Sequence, residues 1–308
     1  GAVGRVEMGG IVHTGFEYDT VRAFLQDNPN NFLAVAGALL VLGGVAFKIG
    51  AFPFQIWIPD VYQGAPTPTA AFLAVSSKAA GFAVLLVLVN HVFAPLSAVL
   101  VTVLSLLAAA TILFGNLSAL TQRNTKRLMG LSGVSHAGYL LMGVIASLTV
   151  PWAGGAVWFY LFTYMLASMA VFGVMAYVSG PDEANNELDH YDRLTRQSPF
   201  LSTALALGLG SLAGIPPLAG FMGKLLIFVA AFHAHLYGLL MVAIIGVVIS
   251  IYYYFGWIRA AFFESPAGSG ATPRAAVTAP AVVGIATLAF LGIATVLLGF
   301  YQQPLTSW

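Results

Sequence analysis

The stretch KIGAFPFQIWIPDVYQGAPTPTAAFLAVSSK, residues 48–78, decides the fold of this chain. A lysine stands at each end of it, Lys48 and Lys78, and Pro53 interrupts an otherwise helical apolar pattern between them. A proline inside a membrane helix frees backbone groups that only protein or a water-lined cavity can satisfy. A lysine near the middle of a bilayer costs about 2.5–3.5 kcal/mol on insertion scales. A charge and a break that are both kept despite this cost indicate an ion or proton path.

The composition is that of a polytopic helical membrane protein. The 308 residues are 59% hydrophobic and 7% charged, whereas a soluble domain has about 25% charged residues. The net charge of +1 argues against a nucleic-acid partner. Because the chain has no cysteine, it has no disulfide framework, thiolate metal site or cysteine-ligated iron–sulfur cluster. It begins with Gly1 rather than Met, which predicts a fragment whose upstream part is missing.

Hydropathy predicts an all-α transmembrane bundle of about eight spans over residues 32–308. Residues 1–31 are predicted to form a connecting segment before it, in which Phe16–Leu25 is either a short amphipathic surface helix or an ordinary loop. The predicted spans are, in order, 32–57, 69–89, 96–114, 128–149, 156–178, 200–232, 236–258 and 277–300.

Basic residues in the loops predict the orientation of the bundle. The polar loops near 115–127, 179–199 and 259–276 carry Arg123, Lys126, Arg127, Arg193, Arg196, Arg259 and Arg274. The positive-inside rule makes these loops cytoplasmic, so the connecting segment and the C-terminus face outward. All of these basic loops lie on one side of the membrane only if the interrupted region 200–232 counts as one crossing.

Three lysines lie inside predicted spans, Lys48, Lys78 and Lys224, whereas all eleven acidic residues lie outside them. The simplest alternative is snorkelling, in which a long side chain sends its ammonium to the interface. Snorkelling fits Lys78 poorly, because this residue is central in its span. A buried lysine can gain and lose a proton near neutral pH, which an arginine cannot do. The three lysines therefore predict a proton path.

Two broken spans support the same interpretation. Lys48 precedes the break at Pro53, and Lys224 follows the break at Pro216 and Pro217. Discontinuous helices in corresponding positions of two internal repeats point to a transport site.

The fourth predicted span carries a polar stripe. Ser132, Ser135, His136 and Tyr139 stand at i, i+3, i+4 and i+7 and so share one helix face. Such a stripe is able to order water and pass protons along it, although a single intramembrane histidine is also a common packing residue. The chain has no motif for a nicotinamide, flavin or haem, so any redox chemistry belongs to another chain.

Three blocks of sequence carry a family resemblance. They are FKIGAFPFQIWIPDVYQGAPTPTAAFLAVSSKAAGF (47–82), NTKRLMGLSGVSHAGYLLMG (124–143) and SLAGIPPLAGFMGKLLIF (211–228). Together they resemble the antiporter-like subunit N family (NADH dehydrogenase subunit two family) of proton-pumping NADH-quinone oxidoreductase, respiratory complex I. The resemblance implies that the spans seen here are the seventh to fourteenth of the family.

The resemblance also implies roles for individual residues. Lys48, Lys78, His136 and Lys224 would line a hydrated axis for proton translocation, driven by quinone reduction in other subunits. The residue pattern itself, rather than the resemblance, predicts that Ser132, Ser135 and Tyr139 support this axis and that Pro53, Pro216 and Pro217 form its hinges. In the family, the lysine that corresponds to Lys48 pairs with a glutamate on an upstream span, and no intramembrane carboxylate replaces that glutamate here.

The same resemblance implies partners and a location. The chain itself would hold no cofactor, because NADH, FMN, iron–sulfur clusters and quinone bind to partner subunits. Its neighbours would be the antiporter-like subunit M and the K/J families in a cell inner (plasma) membrane. Two alternatives stay open: a subunit of a multi-subunit cation/proton antiporter or membrane-bound hydrogenase, and a structural subunit without its own proton path.

Overall fold

A computed structural model describes residues 6–8, 11–13, 17–180, 183, 186–263, 277 and 280–301. The described residues are almost entirely helical, which confirms the predicted all-α polytopic fold class. Their one sheet is a short antiparallel ribbon, β1 (Val6–Met8) with β2 (Ile11–His13), in which Glu7 pairs with Val12. Helix α1 (Tyr18–Asp27) follows the ribbon, so the helical alternative holds in this segment.

The remaining elements form the apolar bundle. The helices are α2 (Phe32–Ile49), α3 (Trp57–Gly64), α4 (Thr67–Phe72), α5 (Lys78–Val87), α6 (Ser97–Leu120), α7 (Thr125–Ala146), α8 (Ala153–Ser179), α9 (Leu194–Gln197), α10 (Pro199–Ala213), α11 (Ala219–His233), α12 (Tyr237–Phe262) and α13 (Val282–Phe300). One π-helical turn, Leu73–Ser77, joins α4 to α5, and a second, Leu88–Val92, extends α5. Short 3₁₀ turns, Ala94–Leu96 and Leu188–Tyr191, precede α6 and α9. Within the described ranges, seven helical stretches are long and apolar enough to cross a membrane.

The first break begins earlier than the sequence predicted. Helix α2 ends at Ile49, so the predicted span 32–57 is too long. Gly50 has left-handed backbone angles (φ 74°), and the N–H groups of Gly50 and Ala51 both bond to the carbonyl oxygen of Ala46. This is how a helix commonly ends, because a glycine adopts positive φ without steric cost. The glycine, rather than the proline that follows it, ends the helix.

The second break repeats this arrangement. Helix α10 ends at Ala213, Gly214 is left-handed (φ 86°), and the N–H groups of Gly214 and Ile215 both bond to the carbonyl oxygen of Gly210 at 3.0 Å. Each break is followed by a cis peptide bond, Phe52–Pro53 in the first and Pro216–Pro217 in the second.

The two halves of the second broken helix lie end to end along α8. Gly208 of α10 lies against Val171, where a Cβ atom would come within 2.8 Å, and Gly223 of α11 lies against Tyr160. The contact therefore moves backward along α8 as the chain moves forward, so α10 and α11 together run antiparallel to α8. With this broken pair counted as one crossing, the seven long helices become eight crossings.

Helix α7 is the centre of the bundle. Every residue of it is buried except Arg127, and α3, α6, α8 and α11 pack around it. Glycines allow the closest approach: a Cβ at Gly115 of α6 would lie 2.5 Å from the backbone nitrogen of Ser135, and one at Gly138 would lie 2.6 Å from Ile112. Small residues at helix crossings are typical of membrane bundles. A helix buried on all sides has no surface that must face lipid, so it is free to carry polar groups inward.

The described parts of the predicted cytoplasmic loops meet at one end of the bundle. Thr67 donates two hydrogen bonds to Glu183, Asn124 pairs with Glu187 through an isolated β-bridge, and the N–H of Arg193 bonds to the carbonyl of Ala260. We call this end, formed by residues 58–67, 121–127, 183, 186–198 and 259–263, the basic-loop face. Its cytoplasmic location, the outward C-terminus and the domain boundary after residue 31 stay predictions. Residues 264–276 of the third predicted loop, Arg274 among them, lie outside the described residues.

Candidate functional site

Lys78 is buried at the first residue of α5, directly after the π-helical turn Leu73–Ser77. Only 4% of it is exposed. Its ammonium donates a close hydrogen bond to the carbonyl oxygen of Gly133 on α7 and a longer one, 3.4 Å, to the hydroxyl of Tyr164 on α8. A Cβ at Gly133 would lie 3.0 Å from the Lys78 Nζ atom, so the glycine leaves the space that the ammonium occupies. Single π-helical turns inside α-helices are frequent at functional sites.

Lys224 is buried to the same extent on α11, with 4% exposed. Its Nζ atom donates hydrogen bonds to the carbonyl oxygens of Leu212 (2.7 Å) and Ala213 (3.1 Å), at the C-terminal end of α10. These carbonyls have no donor within their own helix, and the helix dipole makes this end negative. The break between α10 and α11 thus creates the place in which the Lys224 ammonium is stabilised.

His136 lies between the two buried lysines. Hydrogen bonds join its Nδ1 atom to the hydroxyl of Tyr160 (2.7 Å) and its Nε2 atom to the hydroxyl of Tyr254 (3.2 Å). Its ring centroid is 4.9 Å from that of Tyr164, the same ring above which the Lys78 ammonium lies at 4.9 Å. Both buried lysines interact electrostatically with the histidine ring. The histidine therefore contacts tyrosines from α8 and α12 and lies within electrostatic range of the Lys78 and Lys224 ammonium groups.

Tyr139 completes the connection to Lys224. The Lys224 ammonium lies 5.4 Å from the centroid of the Tyr139 ring, and that ring is 6.0 Å from His136. The Tyr139 hydroxyl accepts a hydrogen bond from the side-chain amide of Asn116 (3.2 Å), and the amide oxygen of Asn116 accepts one from Tyr253 (3.1 Å). We call the series Lys78, Tyr164, His136, Tyr139 and Lys224 the polar chain. It follows one face of α7.

The two serines of the predicted stripe have a supporting position. The Ser132 hydroxyl donates to the carbonyl of Met129 (3.1 Å), and the Ser135 hydroxyl donates to the carbonyl of Ser132 (2.7 Å). Their oxygen atoms interact with the hydroxyls of Tyr254 and Tyr253 respectively. The serines thus orient tyrosines that flank the polar chain, while their own protons are donated within α7.

Lys48 does not join the polar chain. It is exposed in the last turn of α2, although its aliphatic stem packs on α5, where its Cγ atom is 3.4 Å from the Cβ position of Gly81. The sequence placed three lysines within apolar spans, and the structure brings two of them together. Pro53, Pro216 and Pro217 lie in the turns after the two helix ends.

No aspartate or glutamate is buried among the described residues, and the ammonium groups of Lys78 and Lys224 have carbonyl and aromatic partners rather than carboxylates. Carbonyl dipoles stabilise an ammonium without neutralising it, and its burial in an apolar bundle stays costly. A small change in the surroundings is then sufficient to favour the neutral amine. This arrangement suits groups that exchange protons.

Sequence reasoning missed Tyr160, Tyr164, Tyr254 and Asn116. A signal was available for the first two, because tyrosines at i and i+4 in an apolar span place two hydroxyls on one helix face. Buried tyrosine hydroxyls usually find a hydrogen-bond partner, and His136 on the preceding span was an available one.

A membrane bundle with two helices broken at a left-handed glycine and with buried lysines at its centre defines an antiporter-like class of transport protein. A sequence profile described as "NADH:quinone oxidoreductase/Mrp antiporter, TM" matches residues 9–250. The chain belongs to this family and is embedded in a membrane.

Within the family, the predicted resemblance to subunit N is confirmed. The chain is 62% identical to NADH-quinone oxidoreductase subunit N 1 of Opitutus terrae, over 100% of the chain and 61% of that relative. Its fold matches a chain of respiratory complex I from Thermus thermophilus with a TM-score of 0.76 at 35% identity, covering 90% of this chain and 60% of the other. The chain therefore spans about three fifths of the length of these relatives.

A more distant structure shows the fold alone. A chain of the Mrp complex from Dietzia sp. DQ12-45-1b matches with a TM-score of 0.76 at 21% identity, covering 91% of this chain and 59% of the other.

Proposed function

We propose that this chain is part of a proton-translocating membrane-arm subunit of an NADH-quinone oxidoreductase. The observation that carries the proposal is the polar chain, in which two buried lysines without a carboxylate partner are connected through His136 along α7. The similarity to subunit N of other bacteria supports the identity of the assembly.

The polar chain is suited to moving one proton at a time. Lys78 contacts Gly133 and Lys224 lies over Tyr139, six residues further along α7, which corresponds to roughly 9 Å of helix. Two unit charges about 10 Å apart at an effective dielectric constant near 20 repel by roughly 1.7 kcal/mol. A proton on one lysine thus disfavours a proton on the other by roughly twentyfold. Loading Lys78 promotes release from Lys224, with His136 and the tyrosines able to donate and accept between them.

The driving force arises in other subunits. This chain holds no cofactor of its own, and NADH, FMN, iron–sulfur clusters and quinone bind to partner chains. Subunits of the M and K/J families are its neighbours in the cell inner membrane. The basic-loop face is cytoplasmic and the C-terminus is outside. The exposed Lys48 extends the path toward the neighbouring part of the assembly.

The decisive experiment measures proton translocation per electron in the assembled complex with Lys78→Ala or Lys224→Ala. We expect each variant to assemble and to lose the share of translocation that this subunit carries, because neither amine has a substitute nearby. An unchanged proton-to-electron ratio in both variants would refute the proposal and favour a structural subunit without its own proton path.

The family description, which includes Mrp antiporters, favours a second candidate, a cation/proton antiporter subunit. A membrane-bound hydrogenase subunit shares the same features. An imposed sodium gradient distinguishes the antiporter subunit from the proposal, since it should drive proton movement only in an antiporter. Reduction of quinone by NADH in the purified assembly distinguishes the proposal from the hydrogenase subunit.

A further inference from the structure

The basic-loop face contains a buried ion pair that the polar chain does not include. Lys126, in the first turn of α7, is 1% exposed, and its ammonium contacts the carboxylate of Glu183 and donates to the carbonyl of Ala65 at 2.9 Å. Thr67 donates to the same carboxylate through its N–H (2.9 Å) and its hydroxyl (2.6 Å). The Glu183 side chain is 31% exposed. The pair therefore connects the aqueous side to the bundle interior.

The environment of Glu183 favours its charged form. Burial by itself would raise the pKa of this carboxyl, but the hydrogen bonds from Lys126 and Thr67 outweigh it and hold the pKa below its usual value. The carboxylate is thus ionised at neutral pH as long as Lys126 carries its charge.

A purely structural role explains this pair poorly. Buried ion pairs contribute little net stability, because desolvation offsets their attraction. The connection between α7 and the α3–α4 region is also made by the next residue, Arg127, which bonds to Asp60 at 2.6 Å and to Gln63 at 2.9 Å on the surface. The surface pair has exposed fractions of 31% and 73% and so differs from the buried pair in its access to solvent.

One face of α7, covered by Ile58 and Tyr62 of α3, runs from Lys126 to the contact of Lys78. Lys126, Gly130 and Gly133 stand at i, i+4 and i+7 of α7 and share one face. A Cβ at Gly130 would lie 3.3 Å from the ring of Tyr62 on α3, just as one at Gly133 would meet the Lys78 ammonium. Seven residues of helix correspond to about 10 Å. The two glycines thus let Tyr62 and the Lys78 ammonium pack closely on the side of α7 that leads from the Lys126–Glu183 pair to the polar chain.

Tyr62 lies beside the middle of this face of α7 and is 3% exposed. Tyr164, the tyrosine that contacts Lys78, lies on α8 beyond it. Ser168, one turn along α8 from Tyr164, adds a fully buried hydroxyl beside the same tyrosine.

We propose that Glu183 and Lys126, with Thr67, form the port through which protons from the basic-loop face reach Lys78. Lys126 gives one N–H proton inward to the Tyr62 hydroxyl, which releases its own proton to the neutral amine of Lys78. Once Lys126 is neutral, it no longer favours the charged form of Glu183, so Glu183 takes a proton from water and passes it to Lys126. No electrons move, and each O–H or N–H bond that breaks is matched by one that forms. The port rests on the proposed function.

The test uses the assembled complex reconstituted in proteoliposomes, with Lys78→Ala defining the share of translocation that this chain carries. We expect Glu183→Gln to remove most of that share, since the amide keeps an acceptor for Lys126 and Thr67 but takes up no proton. A positioned proton donor commonly contributes about a hundredfold or more to a transfer rate. Glu183→Asp should restore part of the loss. Asp60→Asn, which alters the neighbouring surface pair, should leave translocation unchanged.

The outcomes separate the two proposals. If Lys78→Ala removes a share and Glu183→Gln removes none, the port is wrong and the proposed function stands. If Lys78→Ala removes none, the proposed function itself is wrong. Equal losses in Glu183→Gln and Asp60→Asn would indicate general damage to the basic-loop face and would also overturn the port. Should Glu183→Gln not assemble, Tyr62→Phe removes one hydroxyl without altering the ion pair, and full translocation in that variant would overturn the port.

Discussion

Replacing Gly133 by alanine tests the position of the Lys78 ammonium without removing any ionisable group. The new methyl carbon would lie 3.0 Å from the Lys78 Nζ atom and 3.0 Å from the Tyr164 hydroxyl. Ordinary contacts of a carbon atom begin at about 3.5 Å, so both groups must move by roughly 0.5 Å. Because both are the ends of flexible side chains, they can move without disturbing the backbone of α7.

The expected effect on function is large, whereas the expected effect on stability is small. Alanine stabilises a helix interior by about 0.5–1 kcal/mol relative to glycine, which offsets part of the crowding. The largest effect is the loss of the hydrogen bond from the ammonium to the Gly133 carbonyl, and a bond from a charged donor is worth about 1.5–3 kcal/mol. This loss sets an upper limit of roughly 10- to 150-fold on the fall in the population of bonded, protonated Lys78. We expect proton translocation to fall strongly while the melting temperature of the complex stays nearly constant.

The assay records a pH-sensitive dye and NADH oxidation together in proteoliposomes that contain the assembled complex. Gly256→Ala on α12 is the matched control, because a Cβ there meets no atom within 4 Å. Parental translocation in an assembled Gly133→Ala complex would refute the argument that this contact places Lys78 for proton transfer. If that variant does not assemble, Tyr164→Phe removes the hydroxyl without adding volume, and full translocation in Tyr164→Phe would refute the same argument.

Three further predictions follow from single contacts. Lys224→Arg should keep donors for the carbonyls at the end of α10 but abolish this subunit's share of translocation, because a guanidinium does not release its proton; parental proton-to-electron ratios would contradict it. Gly220→Ala should destabilise the complex by about 1–3 kcal/mol in thermal melts, since its Cβ would lie 2.0 Å from the backbone oxygen of Ser211. The control Gly238→Ala, where a Cβ meets open space, should not destabilise it. Equal melting temperatures of the two variants would refute the clash. Glu183 has a lowered pKa in the folded chain, so its stabilisation is present above the ordinary carboxyl pKa of 4.5 and is lost as pH falls through the lower folded value. Glu183→Gln should therefore lower the melting temperature at neutral pH and differ little from the parent in acid, and a pH-independent difference would disprove the linkage.

The sequence carried much of the fold and part of the site. The breaks near Pro53 and Pro216 and the polar face of α7 were readable, because a proline and a 3.6-residue period are local signals. The end of α2 at Ile49 was readable too, since a glycine after a basic last turn is a common helix end. A hydropathy profile does not show this helix end, because the profile counts apolar residues and ignores backbone angles.

What the sequence withheld depends on packing between distant segments. His136 meets Tyr254, 118 residues away, only because α7 and α12 lie together with a particular rotation. Lys48 and Lys224 look alike in a hydropathy profile, yet one is exposed and the other is buried against the end of a half-helix. Lys126 looked like an ordinary loop cation until the fold enclosed it with Glu183.

The ammonium of Lys224 has a mechanical consequence because of where it binds. It holds together the two ends of a discontinuous helix, attaching α11 to the terminal carbonyls of α10. A neutral amine keeps some of these bonds but loses its attraction to the partial negative charge there, about 0.3–1 kcal/mol or more in a buried site. Proton release would therefore loosen the joint, and proton uptake would tighten it. The side chain that carries the proton also connects the two halves of the broken helix. The protonation state of Lys224 and the contact between α10 and α11 therefore change together.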